Sequence, residues 1–300
     1  MERPDKILLK RIHYPGRIRG SGCYDTQERA AQVTTVTYNS SKTMELEDYE
    51  YFKTDNGTLY QGDCLEILPL LEDESVDLVL TDPPYGTTQC NWDSVIPLEP
   101  MWKQLKQVIK PNGAIVMTAS QPFTTTMIAS NMKMFKYCWV WDKKKPSTGL
   151  HAKIMPLRKT EDVIVFGKSK VNYYPQMVES KIRTDKPRVA NNGEVFGGKE
   201  VLRQHSNNGM MYPKNIIEIT NANQNGRVHP TQKPVALMNY LIRTYTEKGN
   251  LVLDFTIGSG TTAVACEELG RKWIGIELSK DYCEIAKKRL EAWKGQTRFF

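Results

Sequence analysis

The sequence predicts a doubly wound α/β fold, a mostly parallel sheet of seven strands covered by helices on both faces. Three observations predict it. From Thr58 onward, short runs rich in Val, Ile and Leu alternate with amphipathic stretches, the pattern of strands buried on both faces and joined through helices. The two segments richest in chemically useful side chains, 81–86 and 254–261, each stand directly after such a run, at the strand ends where α/β sheets bind ligands. Finally, 300 residues with 40% hydrophobic content suffice for one large domain with room for an insertion.

The strands are expected at 58–63 (TLYQGD), 76–82 (VDLVLTD), 113–119 (GAIVMTA), 137–142 (YCWVWD), 161–167 (EDVIVFG), 251–256 (LVLDFT) and 272–278 (KWIGIEL). Helices are expected at 98–109, 122–131, 234–245, 261–269 and 280–293. The breaker Lys110-Pro111-Asn112-Gly113 ends the first of them. Residues 1–50 mix Gly, Ser, Thr and charge with little periodicity and are expected to form a loosely ordered N-terminal extension. Between Phe166 and Val228 the alternation dissolves into polar sequence rich in Asn, Gly, Lys and Arg. That shift marks an insertion, 168–228, between the two halves of the sheet domain, 51–167 and 229–300.

The net charge of +7 is unevenly placed, because residues 143–233 hold 17 Lys/Arg against 7 Asp/Glu. A polyanionic partner accounts for such a patch through counterion release, and a solvated basic surface is the plain alternative. No apolar run reaches the ~18 residues of a membrane span, and the start MERPDKILLKR lacks the apolar stretch of a signal peptide. A cytoplasmic protein is therefore expected. Six scattered cysteines, Cys23, Cys64, Cys90, Cys138, Cys266 and Cys283, form no CxxC pair, so they read as reduced thiols, and no metal is implied.

Thr81-Asp82-Pro83-Pro84-Tyr85-Gly86 follows the run VDLVL. Two prolines cannot continue a strand or enter a helix interior, so they fix a rigid extended turn. That turn presents a carboxylate, a backbone carbonyl and an aromatic ring together. An exocyclic amino group offers two N–H donors, which Asp82 and the Pro83 carbonyl can accept while Tyr85 stacks on the ring. An Asp-capped proline turn with no chemical role is the alternative.

The second segment, 251–265, is a strand ending in Asp254 and Phe255, then Gly258, Ser259 and Gly260 before a helix opening at Thr261. Glycines let backbone approach a ligand, and the helix N-terminus favours an anionic group. Glu277 ends the next strand, 19 residues beyond Gly258, at the spacing of a ribose-binding carboxylate. A nucleoside-containing cofactor follows. Gly258, Gly260 and Ala263 also satisfy the GxGxxG/A pattern of a nicotinamide-dependent oxidoreductase. S-adenosyl-L-methionine is favoured because Asp254 stands where it can hold a cationic amino-acid portion, and because an oxidoreductase leaves the proline turn unexplained. A glycine turn used only for close packing is the structural alternative.

With both segments in view, the chain resembles the β class of DNA amino-methyltransferases, in which [DNS]PP[YFW] precedes an FxGSGTT segment. The resemblance covers about 58–293. It implies a Rossmann-like methyltransferase fold with permuted motif order, base flipping, and direct transfer from S-adenosyl-L-methionine to adenine N6 or cytosine N4. Asp82, Pro83, Pro84 and Tyr85 match the catalytic motif; Asp254, Phe255, Gly258, Ser259, Gly260 and Thr261 match the cofactor motif. It makes 51–167 the catalytic half, 168–228 the target-recognition region and 229–300 the cofactor half. HPTQKP at 229–234 resembles the segment serving the methionine end of the cofactor, with Lys233 near its carboxylate. GDCLEIL at 62–68 resembles the segment whose Asp contacts the cofactor adenine, here Asp63, which can equally cap the helix beginning at Cys64. An Asp at the head of the motif is associated with adenine N6, and Ser with cytosine N4. DNA is the expected partner, with Lys143, Lys144, Lys145, Arg183, Arg188 and Arg203 as its candidate contacts. A DNA-binding protein with a degenerate cofactor site is a further alternative, opposed by the intact Asp82 and Gly258. The family also implies a homodimer, for which the sequence carries no interface pattern.

Overall fold

The continuous apolar runs become the centre of a nine-stranded sheet. The structure is a computed structural model that describes residues 44–86, 94–147, 152–184, 186, 188–191, 200–203, 206–221 and 232–297. It forms β1 (Glu50–Lys53), β2 (Gly57–Gln61), α1 (Cys64–Ile67), β3 (Val76–Thr81), α2 (Leu98–Val108), β4 (Ile109–Ala119), α3 (Phe123–Ser130), β5 (Phe135–Ser147) and β6 (Arg158–Phe166). Six short strands follow: β7 (Val178–Glu179), β8 (Arg183–Thr184), β9 (Arg188–Asn191), β10 (Glu200–Arg203), β11 (Ser206–Asn207) and β12 (Met210–Met211). The chain then makes β13 (Ile216–Glu218), α4 (Val235–Tyr245), β14 (Leu251–Asp254), α5 (Thr261–Leu269), β15 (Lys272–Glu277) and α6 (Lys280–Thr297).

The sheet order is β1-β2-β15-β14-β3-β4-β6-β5-β13. Pairing is parallel from β2 through β15, β14 and β3 to β4, and antiparallel where β6 joins β4 and β5 and where β1 joins β2. All seven expected strands are present. The two additions, β1 and β13, are edge strands of four and three residues, too short to show a period in the sequence.

Strand β3 is buried along its whole length. Leu78 and Leu80 pack with α4, α5 and α6 residues such as Leu241, Ala263 and Ala286. Val76 and Val79 pack on the other face with Ile67, Met101, Leu105 and Met127 of α1, α2 and α3. Three layers result, the helix–sheet–helix solution for a two-faced apolar sheet. From β14 the chain crosses through α5 to β15 on one side; from β3 it crosses through α2 to β4 on the other. Connections therefore diverge between β14 and β3, and a ligand crevice belongs at the carboxyl ends of that strand pair.

The insertion is more regular than its composition suggests. β7 pairs with β12, β8 with β11 and β9 with β10, all antiparallel. These nested ladders make one interrupted two-stranded ribbon. Ile182 and Val189 on it are 79% and 65% exposed. The expected insertion limit at 228 takes in β13, which returns to the main sheet beside β5. Residues 1–43 of the expected extension lie outside the described residues; of the rest, Leu46–Tyr49 form a helical turn and Glu50 opens β1.

Candidate active site

The proline turn leaves β3 beside the glycine loop that leaves β14, because the two strands pair through Val252–Leu78 and Leu253–Val79. Threonines tie the strand ends together. Thr81 Oγ1 donates to Asp254 Oδ1 at 2.8 Å and lies 2.5 Å from Thr256 Oγ1. Thr262 Oγ1 donates to Asp254 Oδ2 at 2.6 Å, and the Thr256 amide donates to Oδ1 at 3.2 Å. Asp254 is 4% exposed, so both its oxygens serve the join between the two motifs. Phe255 is also buried and packs in the α1–α3 layer. The side chains of these two expected cofactor residues are thus packed inside the protein.

Burial pushes the Asp254 carboxyl up to about 7, against the threonine and amide donors that favour its charged form. The folded value lies above the ordinary 3.8, so the folded protein keeps a proton that the unfolded chain releases. Stability therefore falls as pH rises from about 4 to about 7, then levels off. Asp254→Asn is expected to flatten that fall. Urea unfolding at pH 5 and pH 8 measures it, and an equal fall in both proteins rejects this source.

Around the glycine loop, the Gly258 amide donates to Glu277 Oε2 at 2.9 Å and the Ser279 amide donates to Oε1 at 2.8 Å. Burial raises the Glu277 carboxyl above its ordinary value despite these donors. Arg289, on α6, donates through Nη1 to Ser259 O at 2.5 Å, Ser259 Oγ at 3.0 Å and Thr261 Oγ1 at 3.1 Å. Nothing in the sequence singles Arg289 out, since it stands 28 residues past the loop it braces. Arg289→Ala is expected to weaken cofactor binding roughly tenfold, the loss of one charge-assisted bracing contact. Calorimetric titration with S-adenosyl-L-methionine checks this, and unchanged affinity shows that the loop holds its shape without the arginine.

The proline turn carries the densest polar network. Asp82 Oδ1 accepts from the Tyr85 hydroxyl at 2.7 Å and from Thr118 Oγ1, while Oδ2 accepts from Lys233 Nζ at 2.7 Å. Lys233 Nζ lies 3.6 Å from Glu161 Oε2, and Glu161 Oε1 accepts from Lys143 Nζ at 3.0 Å. Burial works against the Lys233 charge, but Asp82 and Glu161 outweigh it and hold the ammonium above the ordinary lysine range. Burial, then the Asp82 carboxylate, drives the Tyr85 phenol well above its ordinary value. The Tyr85 ring stacks on Phe123 with centroids 5.0 Å apart, and Lys233 Nζ is 5.5 Å from its centroid.

Lys233 is therefore at the proline turn, where it bonds Asp82. Asp63 accepts from the Leu65 amide at 2.8 Å as the N-cap of α1. Lys143 is 3% exposed and ion-paired, where no phosphate reaches it. Lys144 pairs with Glu218, Lys145 is exposed, and Arg183, Arg188 and Arg203 lie on the ribbon, the last two opposite each other in register. Of the HPTQKP segment, 229–231 lie outside the described residues, as do Cys23 and Cys90. Among the described residues no cluster of three or more His, Cys, Asp or Glu could hold a metal ion, and no helix is long and apolar enough to cross a membrane.

The crevice suits a nucleoside-containing cofactor. A Cβ built on Gly258 would come no closer than 4.0 Å to its nearest neighbour, Thr256 O, so the loop backbone faces open space with an acidic acceptor at the next strand end. One strand away stands a carboxylate that already holds an N–H donor. Together they place a ligand crevice beside a carboxylate able to accept from an N–H group. Residues 76–288 match the N6/N4 methylase family, described as DNA methylase, and the chain belongs to that family. The Type II methyltransferase M.HpaI of Haemophilus parainfluenzae is 28% identical over 246 residues, 77% of this chain and 73% of that protein. Among solved structures, the PvuII DNA methyltransferase (cytosine-N4-specific) aligns with TM-score 0.58 at 22% identity, over 80% of this chain and 88% of that one. The M1.HpyAVI–SAM complex aligns with TM-score 0.53 at 26% identity, over 78% and 99%. The chain is thus a DNA amino-methyltransferase, acting on adenine N6 or cytosine N4, and its cofactor is S-adenosyl-L-methionine.

Proposed function

We propose that this enzyme methylates adenine N6 at a specific site in duplex DNA. The observation that carries the reading is Asp82 at the head of the proline turn, in place of the serine associated with cytosine N4. S-adenosyl-L-methionine supplies a methyl group already activated by its sulfonium, which leaves the protein mainly a positioning task. Asp82 and the Pro83 carbonyl accept the two N–H groups of the target amine and aim its lone pair, and Asp82 stabilises the positive charge that develops on nitrogen. Thr118 and the Tyr85 hydroxyl hold the carboxylate in place. Pro84 keeps the turn rigid, Tyr85 borders the base pocket, and Glu277, Ser259, Gly260 and Thr261 shape the cofactor side.

A base inside a duplex has to leave the stack to reach this turn, at a cost of a few kcal/mol repaid by contacts in the pocket. The exposed ribbon supports duplex binding, since a two-stranded β-ribbon fits the major groove and this one carries Lys181, Arg183, Lys186, Arg188 and Arg203. Cytosine N4 is the second reading, favoured by the fold likeness to a cytosine-N4-specific enzyme. A cytoplasmic location belongs to the same proposal. The test uses methyl-tritiated cofactor and unmethylated genomic DNA, digested to nucleosides after reaction. Label in N6-methyladenine is expected. Label in N4-methylcytosine overturns the choice of base, and no label in DNA overturns the substrate.

A further inference from the structure

Glu161 Oε2 is buried and accepts no hydrogen bond. A buried carboxylate oxygen without a donor costs free energy and calls for an explanation. Its partner oxygen is taken by Lys143, and the Lys233 ammonium stands 3.6 Å from the vacant one, engaged with Asp82 instead. One buried cation thus faces two carboxylates and bonds only one of them.

The position of that cation is the informative part. Lys233 Nζ donates to Asp82 Oδ2 at 2.7 Å and lies 5.5 Å from the centroid of the Tyr85 ring. Those are the surroundings that the target amino group has to take up if Asp82 is its acceptor. Asp82 Oδ1 already accepts from Tyr85 and Thr118, so an incoming N–H group needs Oδ2, the oxygen that Lys233 holds. A second lone pair remains on Oδ2, so what the two donors contend for is the space beside that oxygen and the Tyr85 ring.

We propose that Lys233 is an internal stand-in for the target amino group, and that Glu161 receives its ammonium when the base enters. Both are positioning residues for the reaction, and the assignment rests on Asp82 being the acceptor of the target amine. The movement is short, since closing 3.6 Å to an ordinary charged hydrogen bond of ~2.8 Å needs about 1 Å. The exchange keeps every charge paired: Lys233 stays cationic between Asp82 and Glu161, and Lys143 continues to pair with Glu161. Without the base, Lys233 keeps the partly buried Asp82 carboxylate from being an uncompensated anion, which is unfavourable. Glu161 in turn makes release of Lys233 inexpensive.

The test is a two-residue cycle, Lys233→Met, Glu161→Gln and the double variant. Steady-state methyl transfer to unmethylated DNA gives KM for DNA and kcat, and calorimetry gives Kd for S-adenosyl-L-methionine. Lys233→Met removes the competitor, so KM for DNA is expected to fall several-fold while cofactor Kd changes less than about twofold. Glu161→Gln strands the ammonium on Asp82, so kcat/KM for DNA is expected to fall about tenfold, and adding Lys233→Met is expected to restore most of it. Lys233→Met that weakens cofactor binding about tenfold with KM for DNA unchanged overturns the proposal and puts the lysine at the methionine end. A double variant no better than Glu161→Gln also overturns it, and if Glu161→Gln does not fold, the Lys233→Met split decides alone. Wild-type protein that labels no DNA overturns the functional reading and this assignment with it; active wild type with a failed cycle overturns this assignment only.

Discussion

Asp82→Ala is expected to lower kcat for methyl transfer by about 10²–10³-fold, the scale of losing one preorganised electrostatic partner of the transition state. The methyl side of the catalyst should survive. The Gly258–Glu277 and Arg289–Ser259 contacts that shape the loop do not involve Asp82, so cofactor Kd should change less than about twofold. Stability should fall as well, because Lys233, Thr118 and Tyr85 all lose their acceptor. Lys233 retains Glu161 at 3.6 Å, which holds the loss to roughly 2–3 kcal/mol, below that of an isolated buried charge. Kinetics therefore need to be read well below the variant's melting temperature. A variant that keeps more than a tenth of wild-type kcat while folded places the acceptor of the target amine elsewhere.

Gly260→Ala should be the most destabilising single-methyl change in the loop. Gly260 caps α5 at φ +79, a left-handed conformation that costs a residue with a Cβ about 1–2 kcal/mol. The added carbon would also sit 2.9 Å from Ala286 Cβ and 3.1 Å from Ala286 Cα on α6, an overpacking worth roughly 1–3 kcal/mol more. The sum, about 3 kcal/mol, should lower Tm by roughly 5 °C in a chain of this size. Gly258→Ala is the control, with φ +53 but no atom nearer than 4.0 Å. It should cost only the backbone term of about 1–2 kcal/mol, while weakening cofactor binding because its methyl group enters the crevice. Equal Tm losses at the two positions would mean that contact with α6 contributes nothing.

The two glycines also mark how far a motif can be read. GSG in the sequence says that backbone must pass closely by something, and both were expected to serve the ligand. The fold divides the work: Gly258 faces the crevice and Gly260 faces α6. Asp254 and Phe255 show the same limit. Their motif membership was legible, but their direction was not, because a residue at a strand end points to a ligand or to the core according to which face its neighbours cover.

What the sequence by itself determined is the seven longer strands of the main sheet, the doubly wound class, the two motif-bearing strand ends and the order of their motifs. Those follow from local properties: continuous apolar runs, helix periods, and residues such as proline and glycine whose backbone preferences hold in any context. What only the tertiary structure decided is which distant side chains meet. Lys233 meets Asp82 across 151 residues, Glu161 joins them from β6, and Arg289 reaches the loop from α6. Lys143, which reads as one more basic surface residue, is buried beside Glu161 for the same reason. Charge pairing depends on distance and burial, and no spacing along the chain records either until the strands are ordered in the sheet.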